Sequence, residues 1–139
     1  MKRLRELLVC GLAALGLLSG VAGAAEVPAE LDAMFQRYVS LPDAILPVLT
    51  AARDKASADK MAPELEALMG RVSDSRRELL TVPALTDEVA EAVRRKYEAE
   101  MRSRWGKVYD EIYRLQRVRC YESISFFKQF NTFCVLLGK

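Results

Sequence analysis

The stretch that decides the fold runs from Asp87 to Arg119 and reads DEVAEAVRRKYEAEMRSRWGKVYDEIYRLQRVR. It has no proline and only one glycine, so about 33 residues can form a single helix roughly 50 Å long. Apolar residues recur along it at helical spacing and define one stripe: Val89, Val93, Tyr97, Met101, Trp105, Val108, Ile112 and Leu115. An amphipathic helix of this length needs other helices to cover its stripe. The stretch therefore predicts an all-α protein.

A second long helix precedes this stretch. The segment Val82-Pro83-Ala84-Leu85-Thr86 is a clear interhelical break, and Thr86 is a typical N-cap. Upstream of it, a cap at Ser57-Ala58-Asp59 leads into apolar residues at heptad-like spacing: Met61, Leu65, Leu68, Val72 and Leu79. We expect the two helices to form one long antiparallel helical hairpin.

Shorter helices are predicted on either side of the hairpin. One covers Leu31 to Tyr38, and a new start at Ser40-Leu41-Pro42-Asp43 leads into a short helix that Pro47 either kinks or begins. The last helix, Ile124 to Leu137, carries four phenylalanines: Phe126, Phe127, Phe130 and Phe133. The predicted architecture is a small helical bundle built on the hairpin, with short N-terminal helices and a C-terminal helix packed on it.

The amino terminus has the features of a secretory leader. A basic start, Met1 to Arg5, precedes an apolar run from Leu7 to Leu18, and Ala22-Gly23-Ala24 fits the A-x-A cleavage pattern. We expect residues 1–24 to be a cleaved signal peptide and 25–139 to be a single helical domain, periplasmic or secreted. The alternative is a retained membrane anchor, since residues 7–25 are just long enough to span a bilayer.

Charge is distributed unevenly along the chain. Residues 25–91 carry 7 basic and 13 acidic side chains, whereas residues 92–139 carry 11 and 5. This asymmetry indicates two complementary surfaces, either within one molecule or between two copies, and it favours a protein partner or a homodimer. A uniformly basic nucleic-acid binder is excluded by the acidic half, so we expect no nucleic acid as partner.

One basic face stands out on the long helix. Its members fall within about 140° of one another on a helical wheel, opposite the apolar stripe: Arg95, Lys96, Arg102, Lys107, Arg114 and Arg117. The face is either simply solvated or contacts an anionic partner, such as a lipid headgroup, an acidic glycan or the acidic half of another copy. Nearer the apolar side, we expect ion pairs along the helix such as Glu100–Arg104.

Motifs for catalysis are weak. The chain has no histidine, which removes the commonest general base and metal ligand. S-x-x-K occurs twice, at Ser57–Lys60 and Ser125–Lys128, without the companion motifs of the penicillin-binding enzymes. We expect no catalytic residues, cofactor, metal site or small-molecule substrate.

Two cysteines, Cys120 and Cys134, remain after the predicted cleavage. An oxidising compartment favours a disulfide between them. Fourteen residues of unbroken helix would separate them by about 21 Å, so the bond requires a turn between them and a short or bent last helix. The alternative is a free, buried thiol at Cys134, among Phe130, Phe133 and Leu137.

In size, leader and helical content the chain generically resembles the small helical chaperones and stress proteins of the bacterial periplasm, although their L-T-x-x-Q pattern is absent. We expect a non-catalytic interaction or scaffold protein of the bacterial envelope that uses the basic face. A holdase whose cradle is the apolar side of the hairpin is the alternative, and an enzyme with an unrecognised site is a third hypothesis.

Overall fold

The computed structural model describes residues 25–138, and the predicted signal peptide, residues 1–24, lies outside the described residues. Within that range the chain forms four α-helices and one short 3-10 helix. Their bounds are α1 Ala29–Ala51, α2 Lys55–Leu80, α3 Asp87–Arg117, the 3-10 helix Arg119–Glu122, and α4 Ile124–Leu136. The predicted all-α bundle is confirmed.

The first helix differs from the prediction. Two short helices were expected around Pro42 and Pro47, but α1 continues through both prolines. A proline inside a helix removes a hydrogen bond and crowds the preceding turn, at a cost of about 3 kcal/mol. Here that cost is offset because Leu41, Ile45 and Leu49 are fully or nearly fully buried around the two prolines.

Side-chain caps fix the other three helix starts. Ser57 was predicted to cap α2, but the cap is Asp54, whose carboxylate accepts from the Ser57 amide at 2.7 Å. Ser57 closes the capping box, because its Oγ accepts from the Asp54 amide at 3.0 Å. The predicted cap Thr86 is confirmed, and Ser123 caps α4, since each side chain accepts from the amide three residues on.

Helix α1 is the central packing element. It lies close to both α2 and α3, while the backbones of α2 and α3 approach each other at few or no positions. Aromatic rings join α1 to α3: Phe35 stacks on Tyr97 at 5.5 Å and Tyr38 on Trp105 at 5.1 Å between ring centroids. The two long helices therefore meet largely through α1 rather than directly, and α4 packs on α2.

A left-handed turn joins α3 to α4. Arg119, Cys120, Tyr121 and Glu122 have φ values of 48°, 50°, 54° and 58°, and none of them is glycine. L-residues in this region cost about 1–2 kcal/mol each. Burial of Cys120 and a hydrogen bond of 2.9 Å from Arg114 to the Tyr121 hydroxyl hold the turn in place. The turn redirects the chain so that α4 can pack on α2.

A helix that spans a membrane must be about 20 residues long and predominantly apolar. None of the helices in residues 25–138 combines the length and apolar character needed to cross a bilayer.

Candidate functional site

The amino-terminal part of the predicted basic face is paired with acids. Arg95 lies 3.4 Å from Glu91, and Arg102 lies 2.9 Å from Glu98 on the same helix. Lys96 reaches across to α1, where its Nζ lies 2.6 Å from the carboxylate of Asp32. These cations are exposed, so each pair adds little stability, but much of their charge is already neutralised.

Arg114 is a structural residue and does not belong to a solvent-facing surface. Its side chain is only 18% exposed. Nη2 donates to the carbonyl oxygens of Leu49 and Ala52 at 2.9 and 3.0 Å, and Nε donates to Glu111 at 2.7 Å. The helical wheel placed Arg114 on the basic face, but α1 ends against this position and covers it.

Two members of the face, Lys107 and Arg117, are exposed and form no ion pair with the described residues.

The opposite charges of the two halves of the chain are partly balanced by ion pairs within the molecule. Arg104 of α3 bridges to Asp43 of α1 at 2.7 Å, as Lys96 does to Asp32. The predicted Glu100–Arg104 pair is also present, at 3.6 Å. The structure therefore divides the six residues into three paired cations, one largely covered arginine, and two exposed cations that form no ion pair with the described residues.

Both described cysteines are buried free thiols. Burial raises the pKa of Cys134 to about 11, and burial together with the neighbouring Cys134 raises the pKa of Cys120 to about 11. The structure has no disulfide between them. The disulfide stays a prediction for the oxidised protein.

A shallow groove of about 550 Å³ lies between α1 and α2 and is bordered by Arg37, Arg71 and Glu78 among others. Ser75 also borders it, but its Oγ is covered and lacks a hydrogen-bond partner. Among the described residues no three Cys, Asp or Glu side chains converge as a metal site would require.

The serines of the two S-x-x-K matches have structural partners. Ser57 is held in the capping box of α2. Ser125 donates to the Asp59 carboxylate at 2.8 Å, beside Ser123, which donates to the same oxygen at 2.5 Å. These two bonds lower the pKa of Asp59 and tie the start of α4 to α2.

A surface that sequence analysis missed lies on α4. Ile124 is 85% exposed, Phe127 53% and Val135 67%. Their positions fall within an arc of about 80° on the helix; the exposed Asn131 lies in the same arc and the exposed Lys128 next to it. The opposite side of the same helix is buried in the core through Phe126, Phe130, Phe133 and Cys134. The available signal was that Ile124, Phe127 and Val135 fall on a different side of α4 from Phe126, Phe130 and Phe133.

Three exposed cations lie within or shortly before α4 in the sequence. Arg117 and Arg119 precede α4, Lys128 lies within it, and none of the three forms an ion pair with the described residues. We call these residues together the C-terminal surface: Ile124, Phe127, Val135, Arg117, Arg119 and Lys128. It joins exposed apolar area to unpaired positive charge, which the middle of α3 does not.

Comparison with known proteins gave no family model, no curated protein and no solved structure that matches this chain.

Proposed function

We propose that this chain is a non-catalytic interaction protein that docks on an anionic partner through the C-terminal surface. The observation that carries the proposal is the exposed stripe of Ile124, Phe127 and Val135 on a helix whose other side is already buried. Leaving large apolar side chains in water forgoes about 1.5–3 kcal/mol each. Apolar side chains grouped on one face are typical of a surface that another molecule covers.

The arrangement favours docking over a holdase cradle. A cradle on the hairpin would use the apolar sides of α2 and α3, but α1 packs against both and contributes Leu31, Phe35 and Ile45 to the core. Three of the six large apolar side chains that are exposed among the described residues lie instead on one side of α4, together with Lys128. A bounded, charged surface of this kind supports one type of partner more than many unfolded clients.

The compartment of this function is part of the proposal. The basic start, apolar run and A-x-A site of residues 1–24 support export, so we place the protein in the bacterial envelope or outside the cell. The candidate partner is then an anionic component of the envelope.

The experiment is capture from an envelope extract at low and high salt. The wild type is compared with Ile124→Ser/Phe127→Ser/Val135→Ser, and with Leu80→Ser, which removes an exposed apolar side chain from the end of α2. We expect one component to be retained by the wild type and by Leu80→Ser, lost by the triple variant, and weakened as salt rises from about 0.1 M to about 1 M. A component retained equally by all three proteins would contradict the proposal.

A further inference from the structure

We infer that the anionic partner is the surface of a lipid bilayer, on which α4 lies in the plane of the interface. This inference rests on the proposed function and names its partner. It depends on the length of the apolar stripe, on the distribution of charge along it, and on the poor fit of a second copy.

The stripe has the dimensions of an interfacial helix. Ile124 and Val135 are separated by 11 residues, which is about 17 Å along the helix axis. Ile124, Phe127 and Val135 point outward along this length, while Phe126, Phe130 and Phe133 fix the inner side to the bundle. The outer side is amphipathic, because Lys128, Asn131 and Thr132 are exposed beside the three apolar side chains. The apolar side chains of such a helix can enter the headgroup boundary without unfolding, while the polar ones stay among the headgroups.

The charge on and beside α4 complements anionic headgroups. Helix α4 contains one charged residue, Lys128, and no acid. Arg117 and Arg119 precede its amino-terminal end, and Glu122 is the one acid between Arg117 and the helix. The Asp59 carboxylate already accepts hydrogen bonds from Ser123 and Ser125. Long Lys and Arg side chains reach headgroups while neighbouring apolar side chains sink deeper.

A second copy is a poorer occupant of the same surface. In a two-fold contact each patch meets its own equivalent. The middle of the stripe lies near Lys128, so antiparallel pairing of two α4 helices would bring the two Lys128 side chains close together. Like charges at the centre of a contact oppose association. A bilayer surface lets the same lysine extend toward phosphate.

The experiment is co-sedimentation with vesicles at low salt. One set contains equal parts of phosphatidylglycerol and phosphatidylethanolamine, and the other contains phosphatidylcholine alone. We expect the wild type to bind the anionic vesicles and not the neutral ones. The variant Arg117→Gln/Arg119→Gln/Lys128→Gln should bind about a hundredfold more weakly, given the usual contribution of each charge near an anionic leaflet. The variant Ile124→Ser/Phe127→Ser/Val135→Ser should lose binding to a similar degree.

The matched control removes the same number of charges from the middle of α3: Arg95→Gln/Arg102→Gln/Lys107→Gln. Arg95, Arg102 and Lys107 lie about 33, 22 and 15 Å along α3 from Arg117, on the side away from α4 in the chain, so this variant should bind like the wild type. The wild type and all variants carry the same residues 1–24, so any contribution of that segment to vesicle binding is equal in each protein. Circular dichroism verifies that each variant keeps its helices, and all substituted positions are exposed.

Three results would overturn the inference. The first is equal binding to anionic and neutral vesicles, and the second is loss of binding in the α3 variant with retention in the Arg117/Arg119/Lys128 variant. The third is a wild type that ignores anionic vesicles yet retains an envelope component that the Ile124/Phe127/Val135 variant loses. That third result leaves the interaction function standing and assigns the surface to an acidic protein or glycan instead.

Discussion

The Nη2 atom of Arg114, on α3, donates to the carbonyl oxygen of Leu49, near the end of α1, at a distance of 2.9 Å. The carbonyl of Ala52 accepts from the same nitrogen at 3.0 Å. The last carbonyls of a helix lack partners within that helix. Arg114 therefore supplies to α1, from another helix, the C-terminal cap that α1 does not form for itself.

Replacing Arg114 by methionine should destabilise the fold by about 3 kcal/mol, because two buried carbonyls and the Glu111 carboxylate lose a charged donor. Urea denaturation followed by circular dichroism measures the change. The matched variant Lys107→Met, on the exposed side of the same helix, should change stability by less than about 0.5 kcal/mol. Equal unfolding midpoints for the two variants would show that Arg114 has no capping role.

Asp32 should contribute to the loss of stability in acid. Hydrogen bonds from Lys96 and then from Tyr97 hold its pKa below the usual value. The stabilisation is therefore complete above the unfolded-state pKa of about 4 and is lost as pH falls through the lower, folded value. Thermal unfolding of the wild type and Asp32→Asn from pH 7 to pH 2 should show that their difference in Tm narrows below about pH 4. A difference in Tm that stays constant from pH 7 to pH 2 would contradict this role. Asp54, Asp59 and Glu91 also have lowered pKa values, but they titrate in both proteins and so do not change the difference.

The buried thiols should react slowly in the folded, reduced protein. With pKa values of about 11, Cys120 and Cys134 hold little thiolate at pH 8, so alkylation should be at least about a hundredfold slower than for an exposed cysteine. In denaturant both should label fully, and peptide mapping by mass spectrometry assigns each label. Labelling without reductant also tests the disulfide: oxidised protein that takes no label at either cysteine in denaturant has formed the bond.

The left-handed turn provides a test in which the usual effect of glycine is reversed. At Glu122 (φ 58°), which is exposed, glycine should relieve backbone strain and stabilise the fold by about 1 kcal/mol. The control Ala99→Gly lies in the exposed interior of α3, where it should destabilise by about 1 kcal/mol. Chemical denaturation compares the two. Destabilisation by both substitutions would mean that residue 122 is not strained.

Local signals predicted much of the helical framework. Thr86 was identified as a cap from its residue type and the apolar pattern after it, and Glu100–Arg104 followed from helical spacing. Each of these depends on residues within one turn. The continuity of α1 through Pro42 and Pro47 depends instead on packing against two other helices, which a local pattern does not contain.

The candidate site was harder to predict for a related reason. A helical wheel gives the direction of Arg114 around α3, but not that the end of α1 lies in that direction. The same limit applies to Phe127: four phenylalanines in one short helix indicated packing, and only the neighbouring helix decides which of them remain exposed. The turn from Arg119 to Glu122 had no glycine to indicate a left-handed backbone.

The central position of α1 has a consequence for how the chain folds. Its bonds to α3 join residues far apart in sequence: 64 positions for Asp32 and Lys96, 61 for Asp43 and Arg104, and 65 for Leu49 and Arg114. Contacts of this kind raise the contact order, so folding should be slower than in a bundle assembled from neighbouring hairpins alone. On the ribosome, α1 is synthesised well before α3, and it has no cap from Arg114 until most of the chain has been made.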